Sequence, residues 1–111
     1  MKKYLYIILI VGVCFAQKSY NENHLVEQNG IWYKKFSDEV VNGNIFMEID
    51  GMRAPLGEIK NGKKDGKWII WRNDGTKLEE QFYLNGIKEG KWKTYSKNGN
   101  VKQITAFVND K

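Results

Sequence analysis

The sequence predicts an all-β chain, an antiparallel meander of β-hairpin repeats preceded by an N-terminal signal-peptide helix. Three observations predict it. The stretch NGKKDGKWIIWRNDG at 61–75 returns as NGIKEGKWKTYSKNG at 85–99, an offset of 24 residues. Aromatic residues make up 14% of the chain, with eleven glycines and a single proline, a mixture that favours short strands and tight turns. Asn-Gly and Asp-Gly pairs stand between the apolar runs, and no helical periodicity of useful length follows residue 16.

The elements follow in chain order. Lys2 and Lys3 precede an apolar run over 4–13, and Cys14-Phe15-Ala16 then places small residues at the −3 and −1 positions. This is the plan of a secretory signal peptide cleaved after Ala16, so the mature chain is expected outside the cytoplasm, periplasmic or secreted. The run is short of the ~20 residues that a membrane-spanning helix needs. An uncleaved anchor and a lipid on Cys14 are the alternatives, but Val13 stands where a lipobox places a small residue. Cleavage removes the one cysteine, and with it disulfides, zinc-thiolate sites and cysteine nucleophiles.

Residues 17–28 are polar and read as a linker, and 29–60 as a divergent N-terminal repeat region with strands near 31–36, 45–50 and 56–60. Residues 61–111 form the regular repeats, with strands near 67–72, 77–84, 91–96 and 101–108. The turn glycines are Gly62, Gly66 and Gly75 in one copy and Gly86, Gly90 and Gly99 in the next. Asn-Gly suits a type I′ turn, since both residues accept positive φ. A second glycine four residues on, Gly66 or Gly90, reads as closing a glycine-bracketed loop instead of a minimal two-residue turn. Asp74-Gly75 and Asn98-Gly99 supply the next reversals.

Trp68 and Trp71 are three residues apart and point to opposite faces of a strand, as do Trp92 and Tyr95. A sheet with rings on both faces needs cover, and Lys67, Lys91 and Lys93 are placed to lay their stems over them.

The phrase Gly-Lys-Trp-x-x-Trp/Tyr ahead of an Asn/Asp-Gly turn resembles the MORN repeat (membrane occupation and recognition nexus). It is more closely similar to bacterial MORN-variant proteins of the antitoxin-like YwqK family. Gly66, Lys67, Trp68, Trp71 and Gly75 carry the likeness, then Gly90, Lys91, Trp92, Tyr95 and Gly99. Gly30-Ile31-Trp32-Tyr33 resembles the opening of such secreted chains, although Val40-Val41-Asn42-Gly43 stands where they show a Pro-Phe-Thr-Gly-like stretch. The resemblance spans about residues 29–111. It implies a hairpin array used as a binding or scaffolding surface, without catalysis, and a toxin as one kind of protein partner.

Catalytic chemistry is not expected. His24 is the one histidine and lies in the polar stretch, and no metal-ligand spacing, HExxH or EF-hand loop occurs. Asp65 and Glu89 resemble paired carboxylates but occupy equivalent turn positions in successive repeats. No cofactor and no small-molecule substrate are expected.

Two binding readings stand side by side. In one, the array grips a protein through Trp68, Trp71, Trp92 and Tyr95, of which Trp71 and Tyr95 are expected to be the more exposed. The competing reading places Trp68 and Trp92 in the array's own core. In the other, Lys63, Lys64, Lys67, Lys88, Lys91 and Lys93 attract an anionic lipid or envelope polymer. Residues 60–111 carry twelve basic against six acidic side chains, and 17–59 carry four against seven. Export argues against nucleic acid.

Overall fold

The computed structural model describes residues 18–111, so the leader and its cleavage site lie outside the described residues. Strand β1 is Lys18–Asn21, followed by a 3₁₀ turn at Glu22–His24, β2 at Leu25–Gln28 and β3 at Ile31–Lys34. Next come β4 (Gly43–Ile49), β5 (Met52–Lys60), β6 (Lys63–Trp71) and β7 (Lys77–Leu84). The last elements are the short β8 (Ile87–Lys88), β9 (Gly90–Tyr95) and β10 (Val101–Phe107). Strands β4 to β7, β9 and β10 lie side by side in chain order in one sheet, with β8 also on β7. All these pairings are antiparallel, as the meander predicts. Strand β1 adds to β4 in parallel, and β2 and β3 form a separate ribbon.

The turns are tighter than the sequence reading expects. Asn61-Gly62 joins Lys60 directly to its partner Lys63, and Asn85-Gly86 joins Leu84 to Ile87. Asn29-Gly30 and Asp50-Gly51 do the same earlier in the chain. Each first residue has φ of 50–53° and each glycine 80–85°, the two-residue type I′ geometry. Gly66 and Gly90 therefore close no loop. Residues 63–65 already pair back on 58–60, and Gly66, at φ 77°, bends β6 from partner β5 to partner β7. Gly90, at φ 74°, separates β8 from β9 in the same way. The wider reversals fall where expected: the Arg72 N–H donates to the Thr76 carbonyl at 2.8 Å, and Ser96 donates to Asn100 at 2.9 Å.

The core lies further toward the N-terminus than the repeats imply. Tyr20, Leu25, Val41, Ile45, Leu56, Ile59 and Trp68 form the buried cluster, flanked by half-buried Trp32, Met47, Trp71 and Tyr83. Residues 17–28, read as a linker from their polarity, thus contain two strands among the described residues. Tyr20 and Leu25 turn inward there while their polar neighbours face water. The Tyr20 hydroxyl donates to Glu39 Oε2 at 2.8 Å, so the buried phenol is satisfied.

Trp68 anchors this cluster. Its ring lies flat against the backbone of β5 at Gly57, where an added Cβ would sit 2.5 Å from Cδ2 and Cε2. Its Nε1 donates to the Glu58 carbonyl at 3.1 Å, which fixes the ring in place. Gly57→Ala is therefore expected to destabilise the fold by about 2 kcal/mol or more in urea unfolding. In a Trp68→Leu background the same change is expected to cost less than about 1 kcal/mol, because the two sites are coupled. A penalty of equal size in both backgrounds would refute this contact as the cause.

Candidate binding faces

The face that carries Trp68 is built as a ladder of rings. Trp68 meets Tyr83 edge-on at 6.5 Å, Tyr83 meets Trp92 at 5.3 Å, and Trp92 meets Phe107 at 4.8 Å. Such pairs stabilise beyond their buried area. Trp92 repeats the bond of Trp68, its Nε1 donating to the Phe82 carbonyl at 3.1 Å. Phe82 follows Glu58 by the same 24 residues that separate the two tryptophans.

The lysines that cover the rings are not those the sequence reading expects. Lys64 Nζ stands 4.6 Å from the Trp68 ring, 5.2 Å from Tyr83 and 5.7 Å from Trp32. Lys88 Nζ stands 5.1 Å from Trp92 and 5.2 Å from Phe107. The reason is parity: residues 64 and 68 share a face, whereas 67 points to the other. Burial lowers the Lys64 pKa, with Glu27 and Glu22 opposing the shift.

On the opposite face Lys67 instead meets Glu80, which also accepts from Lys77, at 3.2 and 2.9 Å. Glu80 is 8% exposed, and the Lys77 hydrogen bond, followed by that from Lys67, holds its carboxyl below the ordinary range. The sequence reading did not single out Glu80. Its signal was a glutamate three residues from Lys77 on a strand facing Lys67.

Trp71 and Tyr95 belong to this second face, yet neither is exposed as expected. Trp71 is half-buried against the core cluster, and its Nε1 donates to the Pro55 carbonyl at 2.8 Å. Tyr95 is half-buried, with Lys77 Nζ 4.8 Å from its ring and the Arg72 guanidinium donating to its carbonyl. All four candidate anchors are thus engaged by the fold itself. The candidate lysines divide as well: Lys64 and Lys88 lie over rings, Lys67 pairs with Glu80, and the Lys63 stem lies beside Gly86. Lys91 and Lys93 fall opposite Ala106 and Ile104 of β10.

The two repeat carboxylates do not converge. Asp65 accepts from the Asn85 N–H at 3.1 Å, and Glu89 from the Asn109 N–H at 3.4 Å, each bracing the start of the next turn. His24 is exposed at the end of the 3₁₀ turn. Among the described residues no group of three or more His, Cys, Asp or Glu could hold a metal, and no helix is long and apolar enough to cross a membrane.

The surface feature that the sequence reading missed is apolar. Leu84, Ile87, Val101, Ile104 and Val108 are 41% to 65% exposed, all at the β7–β10 end of the sheet. Phe36, in the loop after β3, is also fully exposed, at φ 61°. Fold and surface together define a β-hairpin protein with an aromatic ladder buried at its Trp68 end and exposed valine and isoleucine on its last strand. Compared with protein-family models, curated proteins and solved structures, the chain matches none.

Glu80→Gln is expected to cost about 1–3 kcal/mol at pH 7, since it leaves two lysines without their shared carboxylate. A carboxyl whose folded pKa is lowered stabilises above its usual 4.5 and loses that contribution as pH falls through the lowered value. Wild type and Glu80→Gln should therefore converge below pH 4.5 in thermal unfolding. A gap that does not narrow as pH falls from 4.5 would assign the cost to packing instead.

Proposed function

We propose that this chain is a non-catalytic binding module that holds a protein partner outside the cytoplasm. This is the role that its resemblance to MORN-variant, YwqK-like proteins implies, with a toxin as one partner of that kind. The observation that carries the reading is the exposed apolar set Leu84, Ile87, Val101, Ile104 and Val108. Five large apolar side chains exposed at the last strands of so small a sheet favour an interaction surface there. The anchor role moves accordingly. Trp68, Trp71, Trp92 and Tyr95 shape the sheet, and the apolar residues at its end make the contact.

A second reading, an anionic lipid or envelope polymer as ligand, is favoured by one specific observation. Residues 90–107 contain Lys91, Lys93, Lys97 and Lys102 and no acidic residue. Salt separates the two readings. Raising it from about 0.1 M to about 1 M shortens the Debye length from ~10 to ~3 Å and weakens contacts between exposed charges.

The immobilised chain without its leader, exposed to an extract of its own cells, is expected to retain a discrete protein through the salt rise. Retention lost at high salt, together with capture of anionic but not neutral vesicles, would favour the lipid or polymer. No retention at either salt would refute both.

A further inference from the structure

The repeat itself supplies a comparison for the last strand. β10 is the 24-residue counterpart of β7, so Val101 answers to Lys77, Ile104 to Glu80, Ala106 to Phe82 and Val108 to Leu84. The outer edge of β7 is covered by β8 and β9, whereas β10 is last in the sheet and its outer edge has no neighbour among the described residues. On β7 the Phe82 carbonyl accepts the Glu89 N–H at 3.0 Å and the Trp92 indole at 3.1 Å. The corresponding acceptor on β10 is the Ala106 carbonyl.

Side chains change between the two strands in an unusual direction. Edge strands are commonly blunted with charge, because an open apolar edge recruits other strands. Here, at matching positions, the interior strand carries Lys77 and Glu80 and the edge strand Val101 and Ile104, with Lys102 and a β-bulge between Val101 and Gln103 blunting one end of it. Val101 lies opposite Tyr95, Ile104 opposite Lys93 and Ala106 opposite Lys91, so these β10 residues share one face. Val101 and Ile104 are about half exposed there. The lysines bordering this stripe are short of counter-ions: among the described residues Lys97 reaches Asp74 at 3.9 Å, and Lys91, Lys93 and Lys102 form no ion pair.

We propose that β10 is a docking edge for an extended, acidic partner segment. The segment adds as a further strand whose side chains on the face of Val101 and Ile104 are apolar and acidic in turn, the apolar ones over Val101 and Ile104 and the carboxylates toward Lys91 and Lys93. This rests on the protein-binding reading above and names the surface and the chemistry of its partner. Strand addition takes its affinity from backbone hydrogen bonds and its selectivity from alternate side chains. A second copy fits poorly, because its own β9 and β10 contain no carboxylate to offer these lysines. A bare polyanion supplies charge but nothing to cover the stripe.

The test titrates the ¹⁵N-labelled chain without its leader against three seven-residue peptides, the length of β10. In the Glu-Val peptide one face carries Val and Glu in turn, with Thr at the intervening positions; in the Lys-Val peptide Lys replaces Glu; the third is all Glu. The Glu-Val peptide is expected to bind, with slowed amide exchange confined to β9 and β10. The Lys-Val peptide is expected to bind at least about tenfold more weakly. Ile104→Lys is expected to weaken Glu-Val binding by about tenfold or more, and Ile104→Val to leave it within about twofold.

Equal binding of the all-Glu peptide would overturn strand addition in favour of a charge-only ligand. A chain that sediments as a dimer, and as a monomer once Ile104 is lysine, would assign the edge to a second copy. A protein retained from cell extract equally by wild type and Ile104→Lys would overturn the β10 assignment and leave the protein-binding reading standing. Absence of any retained protein would instead count against that reading.

Discussion

A buried indole N–H must find an acceptor, and for Trp68, Trp71 and Trp92 the acceptor is a backbone carbonyl on an earlier strand. Trp68 donates to Glu58 and Trp92 to Phe82, each ten residues back and across a two-residue turn. That bond requires the two strands to diverge just enough to admit a ring between them. The bends at Gly66 and Gly90 provide the divergence, and their positive φ is what a side chain would resist. Gly57 gives the ring a bare backbone to lie on. With the ring seated, Lys64 and Lys88 two residues before the glycines fall over the aromatic ladder, and Asp65 and Glu89 reach the next turn. One hydrogen bond per repeat thus sets the position of five or six other residues.

Burial is graded along the sheet. The first indole sits in a closed cluster because β1, the 3₁₀ turn, β2 and β3 fold over the early strands, while Gly62 is clamped under Ile31 and Val40. The second indole has no such cover, and Trp92 is only half-buried. The regular repeats are therefore not independent of the irregular residues before them. The N-terminal segment closes the core on the face of Trp68, which the repeats alone leave open.

The parts of this arrangement governed by local rules were legible in the sequence. Asn-Gly at positive φ, the 24-residue period and the approximate places of β7, β9 and β10 follow from turn chemistry, whereas β5 and β6 each begin four residues before the expected limit. The rest depended on tertiary contacts. Tyr20 and Leu25 are single apolar residues in polar surroundings, so no periodicity marks them, and their stretch read as a linker. Gly66 read as a loop residue because a glycine that bends a strand and one that closes a loop look alike in one dimension. Lys67, Lys91 and Lys93 read as cover for the rings, whereas alternation puts Lys64 and Lys88, four residues before Trp68 and Trp92, on the face that carries those two. The apolar last strand was also visible in principle, since the alignment that revealed the repeat places Val101 and Ile104 against Lys77 and Glu80.

The basic excess of the second half acquires a location once its members are sorted by what they touch. Lys64 and Lys88 stand over rings, Lys67 and Lys77 share Glu80, Lys60 reaches Asp65 at 3.6 Å, and Arg72 donates to Thr76, Lys77 and Tyr95. These side chains are engaged within the sheet, Lys60, Lys67 and Lys77 by carboxylates and the others by rings or neutral oxygens. Lys91, Lys93 and Lys102 are different: they lie on the last two strands beside the apolar stripe and form no ion pair among the described residues, although Lys93 stands across from Glu80. A charge excess spread evenly over the surface would serve solubility alone. Concentrated beside exposed valine and isoleucine on an open strand, it selects the sign of whatever the strand receives.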